Sequence, residues 1–497
     1  MKLFLNKLFF RALIYSIIAV GKRQEVSKVV NRLKVENDLG RDNIKKLVLR
    51  LAIPSMIAQF VSVLYSVIDR IYIGNIPNVG EMALAGIGIC APIVTLISAF
   101  ASWIGVGGAP LMNIKLGGKD TEGAKKVLAN CFIMLFVISV ITTIGALAFK
   151  EKLLFWFGAS KRTYPYAEAY FTVYVLGTIF ALMTVGMNQF IMCQGFAKVA
   201  MKAVIVGAIV NIVLDPVFIF VFDLGTAGAA IATVISQVCS CFYVLKFLFS
   251  KKIPIGIEFK GYSWSVMKKV LKIGLSPFVI IALDNVMLIS VNTVIQQYGG
   301  AERGDMLLAC TAIIQSFMLI ITMPLSGITM GTQAILSYNY GARNSKRVLD
   351  AEKYICALCL AFVSIMFVIA YTLPEQFAKI FTANPEYIRM TAWGIKIYTI
   401  GLFGMAIQYA LVDGFTGMGE VKLAMPLSMF RKAVFFASVF IIPRFFDVTN
   451  VFYAEPISDI VSAILSATIY LLTIKKLLYK REQNQEGISL NTLRETS

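Results

Sequence analysis

The side chains able to do chemistry in this chain of 497 residues are few. Histidine is absent, which removes imidazole triads, His-ligated zinc and imidazole proton relays and leaves proton or cation chemistry to carboxylates. The ionisable side chains inside otherwise apolar stretches are Asp69, Arg70, Asp215, Asp284, Lys396, Asp413, Arg431, Lys432 and Asp459. Placing such a group in a bilayer costs at least about 2.5 to 3.5 kcal/mol on insertion scales, so each is a functional candidate. Asn211 and Asp215 are spaced i, i+4 and share a helix face. Counted along their helices, Asp69, Asp215 and Thr233 fall at matching depths, roughly 8 to 10 Å below the outer boundary at 1.5 Å per residue. Two carboxylates, an amide and a hydroxyl on three helices can therefore converge. Such a cluster holds a sodium ion or a proton, because neighbouring carboxylates resist carrying two negative charges together. Pairing of Asp69 with Arg70 is the competing reading, and it is weakened because adjacent helical residues point about 100° apart.

The second half of the chain does not repeat this cluster. Asp69 corresponds there to Asn292 or Thr293, and Asp215 to Val439. For Asp284, Lys396, Asp413 and Arg431, a polar or substrate-facing network and simple pairing of opposite signs stand equally open. Pro54 and Pro216 each remove a backbone hydrogen bond and let a helix bend. GVGGAP (Gly105 to Pro110) lies in an apolar helix without a following Lys and Ser or Thr, so it marks close helix contact and not a phosphate loop. The eight cysteines, including Cys356 and Cys359 in a C-x-x-C, lie in apolar surroundings and are read as packing residues. No catalytic constellation is present. The chain is not expected to be an enzyme, and no cofactor or metal is expected beyond a coupling H⁺ or Na⁺.

The elements that must position these residues are membrane spans. The chain is 58% hydrophobic and 15% charged, with a mean hydropathy of +0.76, well beyond the roughly 45–50% apolar content of soluble domains. Apolar runs bounded by charge, Gly or Pro predict helices near 51–74, 83–113, 127–149, 166–192, 199–222 and 227–249, and again near 271–297, 307–336, 353–373, 388–413, 424–442 and 452–474. The expected organisation is a basic cytoplasmic segment 1–50, an N-lobe 51–249, a linker 250–270, a C-lobe 271–474 and a polar, disordered cytoplasmic tail 475–497. The net charge of +19 is concentrated in alternate loops, which puts both termini in the cytoplasm of a multi-pass protein of the cell inner (plasma) membrane and excludes nucleic acid as the partner. Residues 1–20 read as a basic amphipathic helix on that face, with a thirteenth span or a misassigned start as the alternatives.

A 224-residue shift of the chain against itself aligns Gly107 with Gly331, Gly117 with Gly341, Glu151 with Glu375, Tyr174 with Tyr398 and Gly177 with Gly401. GFAKVAM (Gly195 to Met201) falls on GEVKLAM (Gly419 to Met425). With a one-residue slip, Pro54 meets Pro277. Two six-helix bundles of the same topology follow, related by a pseudo-twofold along the membrane normal, with solute sites between or within them. The fold class is an all-α polytopic membrane protein of 12 transmembrane helices in two pseudo-symmetric six-helix lobes.

Several segments resemble the multidrug and toxic compound extrusion (MATE) family of secondary transporters. They are LAIPSMIAQFVSVLYSVIDRIYIG (Leu51 to Gly74), KLGGKD (Lys115 to Asp120), NIVLDPVFIF with GTAGAAIATVISQ (Asn211 to Gln237), YNYGARNSKR (Tyr338 to Arg347) and the stretch from RKAV to AEPISD (Arg431 to Asp459). The resemblance implies two lobes around a central cleft and export of organic cations, drugs or other amphipathic small molecules by alternating access against inward H⁺ or Na⁺. It implies cation coupling at Asp69, Asn211, Asp215 and Thr233, with Tyr65 and Asn188 at neighbouring cavity positions and Pro54 as the bending proline of the first helix. Some family members use acidic residues in the second lobe, a pattern that Asp284 and Asp413 match loosely as cavity residues. The expected partners are a cationic amphipathic solute and the lipid bilayer, with the protein acting as a monomer. The alternative is a flippase for lipid-linked glycans on a related fold.

Overall fold

The computed structural model describes residues 37–77 and 79–483. Among them every regular element is helical. The first lobe comprises α1 (Ile44–Gly74), α2 (Gly80–Gly117), α3 (Thr121–Ala148), α4 (Tyr164–Leu176 with Thr178–Cys193), α5 (Ala197–Pro216, continued by a π turn over Val217–Val221) and α6 (Gly225–Leu248). In the second lobe, one helical path over Trp264–Gly341 breaks at Gly300 (φ 69°, ψ −173°) into α7 (Trp264–Gly300) and α8 (Met306–Gly341). Then come α9 (Ser345–Thr372), α10 (Pro385–Gly417), α11 (Val421–Phe445) and α12 (Ala454–Gln483). By length and composition these are 12 spans, with the bent α4 pair counted as one. Large apolar side chains such as Ile144, Leu471 and Leu472 stay 64%, 74% and 75% exposed, as lipid-facing surfaces require.

The internal repeat is visible in the turns. Gly117 and Gly341 close α2 and α8. Lys119 (φ 63°) and Arg343 (φ 59°) then take the left-handed conformation. Asp120 and Asn344 cap the next helices, accepting from the Gly123 and Arg347 amides at 2.8 and 3.2 Å. The Lys115 ammonium and the Gly123 amide hold the Asp120 carboxyl below its ordinary range. Gly195 and Gly419 both have positive φ, 89° and 78°. Each pair is 224 residues apart.

Three expectations change. The helices expected over 166–192 and 388–413 are not straight. The first breaks at Gly177 with a 57° bend, and the second passes through a 3-10 turn at Thr399–Gly401. Both glycines accept close neighbours: a Cβ on Gly177 would lie 2.4 Å from Val234 Cγ2, and one on Gly401 2.8 Å from the Pro456 Cα. The first helix begins at Ile44, ahead of 51, because Asn43 caps it by accepting from the Lys46 amide. The tail expected to be disordered from Lys475 is helical to Gln483, where Ile474 and Leu478 are buried and Lys480 and Arg481 favour the helix C-terminus. The helix expected over residues 1–20 lies outside the described residues.

The lobes meet at one end, the base, where both ends of the described chain lie. Backbone contacts through glycine join them. A Cβ on Gly117 would lie 2.0 Å from the Tyr338 carbonyl oxygen, and one on Gly341 2.0 Å from that of Ile114. Deeper in, Gly107 abuts Val270 and Gly274, while Gly331 abuts Leu51 and Ser55. Asn113 stitches the seam, donating to the Ala334 carbonyl (3.1 Å), the Ser337 hydroxyl (3.2 Å) and the Cys193 carbonyl. A strap precedes α1: Arg347 of the second lobe donates to the carbonyls of Leu39 (3.1 Å) and Asp42 (2.9 Å). On the same strap Asn37 donates to the Gly195 carbonyl of the first lobe at 2.7 Å.

Candidate functional site

Each side chain of the first-lobe cluster has a local reason for its position. Asp69 lies five residues before Gly74, where α1 ends. On α5, Asn211 and Asp215 are one turn apart, and Pro216 follows directly. Pro216 offers no amide to the ladder, and the chain widens into the π turn, with the Phe222 amide bonding the Val217 carbonyl at 2.9 Å. Helix α6 comes in closely because Gly228 has no side chain: a Cβ there would lie 2.6 Å from the Phe218 carbonyl oxygen. The Ser240 hydroxyl donates to the Ala203 carbonyl (3.0 Å) and fixes the register of α5 against α6. That register sets Thr233 opposite Asn211.

Asn211 Nδ2 donates to Asp215 Oδ1 at 3.0 Å and to Thr233 Oγ1 at 3.4 Å. Asp215 is fully buried and Asn211 1% exposed. The Asp69 carboxyl comes up against that of Asp215. Three oxygens here, Asp69 Oδ1, Asp215 Oδ2 and Asn211 Oδ1, are buried with no hydrogen-bond partner. All three are acceptors. Buried acceptors without donors are completed by water, a proton or a small cation, and with two carboxyls among them positive charge is the strongest completion. Among the described residues no three Asp, Glu or Cys side chains gather as metal ligands, so a cation here would rest on carboxyl, amide and hydroxyl oxygens together, a donor set that suits a hard ion.

Tyr65, expected at a neighbouring cavity position, lies one turn before Asp69 and faces it. Sequence reasoning missed the rest of the wall, where Tyr170 faces the cluster from the first half of α4. Tyr170 stacks on Tyr174, ring centroids 6.0 Å apart, and Tyr174 reaches Gln237 of α6 and Ser98 of α2. The i, i+4 spacing of Tyr166, Tyr170 and Tyr174 was the available signal. Asn188 is elsewhere: it donates to the Ala200 carbonyl at 3.3 Å near the base, and its oxygen is buried and unpartnered. Pro54 is buried where α1 meets α8, and α1 continues unbroken through it.

In the second lobe the charges separate into two groups. Arg431 of α11 bonds Glu455 (2.9 Å) and Asp459 (2.8 Å) of α12 and lies 5.7 Å from the Tyr409 ring centroid. Its neighbour Lys432 pairs with Asp284 of α7, whose side chain is half exposed. These are pairings of opposite sign. Asp413 of α10 has no such partner and accepts from the Thr329 hydroxyl of α8 at 2.5 Å. Beside it lies Glu352, which sequence reasoning also missed because the helix was drawn from 353; capping by Asn344 starts α9 at Ser345 and puts Glu352 two turns inside.

The MatE family model matches this chain twice, over residues 54–217 and 280–439. The multidrug export protein MepA of Staphylococcus haemolyticus is 23% identical over 431 residues, covering 86% of this chain and 93% of that protein. MepA of Staphylococcus aureus strain NCTC 8325 is 23% identical over 445 residues, covering 89% and 97%. A MATE family multidrug resistance transporter in an outward-facing conformation superposes with a TM-score of 0.83 at 24% identity, covering 91% of this chain and 99% of that one. A MATE structure in its bent conformation gives 0.82 at 25% identity, covering 90% and 99%.

Proposed function

The chain belongs to the MatE family, and from that premise we propose that it is a cation-coupled antiporter exporting drugs, organic cations and other amphipathic small molecules by alternating access. The family is one of membrane transporters, and the multidrug export relatives favour export over the glycan-flippase alternative. The observation that carries the coupling is the group of three buried, unpartnered acceptor oxygens on Asp69, Asn211 and Asp215. With H⁺ or Na⁺ bound the cluster is neutralised; with the ion released it presents negative charge to an organic cation. The two states exclude one another, which is what exchange requires. For a neutral solute, one charge crossing 100 mV releases about 2.3 kcal/mol, enough for roughly a fiftyfold gradient; a monovalent organic cation exchanged for one ion moves no net charge and is driven by the ion's concentration gradient alone.

The base carries Lys45, Lys46, Lys115, Lys119, Lys198, Lys251 and Lys252 at its helix ends and turns, which supports its assignment to the cytoplasmic side of the cell membrane. The lobes, closed at the base, then present an outward-open cleft, with Asp69 and Asp215 near its mouth and the protein working as a monomer. Ethidium efflux from proteoliposomes under imposed pH or sodium gradients tests the coupling. Asp69→Asn is expected to slow efflux at least tenfold and to abolish its response to the gradient. Parent-like efflux with intact ion dependence would overturn the assignment.

A further inference from the structure

Glu352 is 3% exposed, and neither of its carboxyl oxygens has a hydrogen-bond partner. It points at the backbone of Gly414, where a Cβ would lie 2.6 and 2.8 Å from Oε1 and Oε2. Only glycine leaves room for the carboxyl there. Asp413, the next residue along α10, interacts electrostatically with Glu352 and takes its one hydrogen bond from Thr329. The other titratable groups facing the pair are Tyr409 of α10, Tyr470 of α12 and Cys356 and Cys359 of α9. None is cationic. Two carboxyls inside the spans with no counter-ion and one donor between them are not sustained as two anions. On the Gly414 side the contact leaves no space for a hydrated ion.

We propose that Glu352 and Asp413 form a second proton-binding pair, loaded and emptied during the transport cycle. The route to it is polar. Asp413 is only partly buried, and Thr329 lies one turn from Gln333, which lines the small cavity between the lobes together with Gln189, Met330 and Ser337. Gln333 also packs on Gly417, one turn beyond Asp413. A proton entering from the interlobe cavity therefore meets Asp413 first and Glu352 behind it. The pair sits in the lobe that lacks the Asp69–Asp215 cluster, so each lobe carries one acidic pair, built from different helices.

This inference rests on the reading of the protein as an ion-coupled exporter, and the test separates the two. Proteoliposomes carry ethidium inside and a pH-sensitive dye reports proton movement, with the membrane potential clamped at zero. Glu352→Gln, which keeps the shape of the protonated acid, is expected to remove one proton per ethidium exported. At one pH unit of driving gradient, the ethidium gradient held at steady state then falls tenfold. Asp413→Asn gives the same loss, and the double variant no more than either single one. An unchanged proton-to-ethidium ratio in Glu352→Gln overturns the proposal. So does a parent protein that moves no protons in either sodium-free or sodium-containing medium, a measurement that needs no variant to fold. Asp69→Asn is read in parallel: if it keeps its full ion dependence the first-lobe reading fails, while the Glu352 result is judged on its own ratio.

Discussion

Asn211 divides its amide between the Asp215 carboxylate and the Thr233 hydroxyl of the first-lobe cluster. Replacing it by Leu keeps the volume but strips both bonds, leaving Asp215 Oδ1 without a donor in a fully buried position. Unmet buried acceptors cost about 1–3 kcal/mol each, so Asn211→Leu is expected to lower the thermal unfolding midpoint in detergent and to weaken protection by the coupling ion. A variant as stable as the parent, with unchanged ion protection, would contradict this placement. Asp69, Asn211, Asp215 and Thr233 were legible in the sequence because charge and amide stand out against apolar spans. Tyr170 and Tyr174 were not, since aromatic residues are common throughout the chain and carry no contrast. Glu352 falls one residue outside the helix expected from 353, because the Asn344 cap starts α9 eight residues earlier, at Ser345.

Helices α4 and α10 carry the same device at equivalent positions, a glycine that interrupts the span so that a neighbour can press against bare backbone. The sequence repeat aligned Gly177 with Gly401, yet a lone glycine in an apolar run is equally compatible with a straight, tightly packed helix. Only the tertiary neighbours, Val234 in one lobe and Pro456 with Asp459 in the other, decide for the break. Gly177→Val and Gly401→Val are each expected to cost about 1–3 kcal/mol through overpacking. Gly401→Val should also disturb the Arg431–Asp459 pair, because Asp459 Cβ is 2.8 Å from the position a side chain would take. Differential scanning of purified variants checks this, and equal stability to the parent would mean that the bends are not enforced by these contacts.

Closure at the base is distributed over the seam and the strap, so the molecule as a whole must break both to open the other way. Arg347 makes two of those bonds, to Leu39 and Asp42, and is held in place by a third to Asn339 of its own lobe. Losing about 2 kcal/mol from the closed state would move the equilibrium between the two forms up to thirtyfold. Arg347→Ala is therefore expected to expose a cysteine placed at Ser337 to a membrane-impermeant maleimide applied from the base side, several times faster than in the Arg347 parent. An unchanged labelling rate would show that the strap does not hold the closed form. The paired bundles were readable from the 224-residue offset, whereas the strap was not, because carbonyl acceptors leave no trace in residue types. The seam itself has a further consequence. Gly117 abuts the carbonyl of Tyr338 and Gly341 that of Ile114, and Ile114 and Tyr338 are themselves 224 residues apart. The contact is isologous: two copies of a single six-helix ancestor, docked about a twofold axis, would have formed both halves of it with one glycine and one carbonyl. A homodimer of that kind would already have owned both halves of this contact before its two copies were joined in one chain.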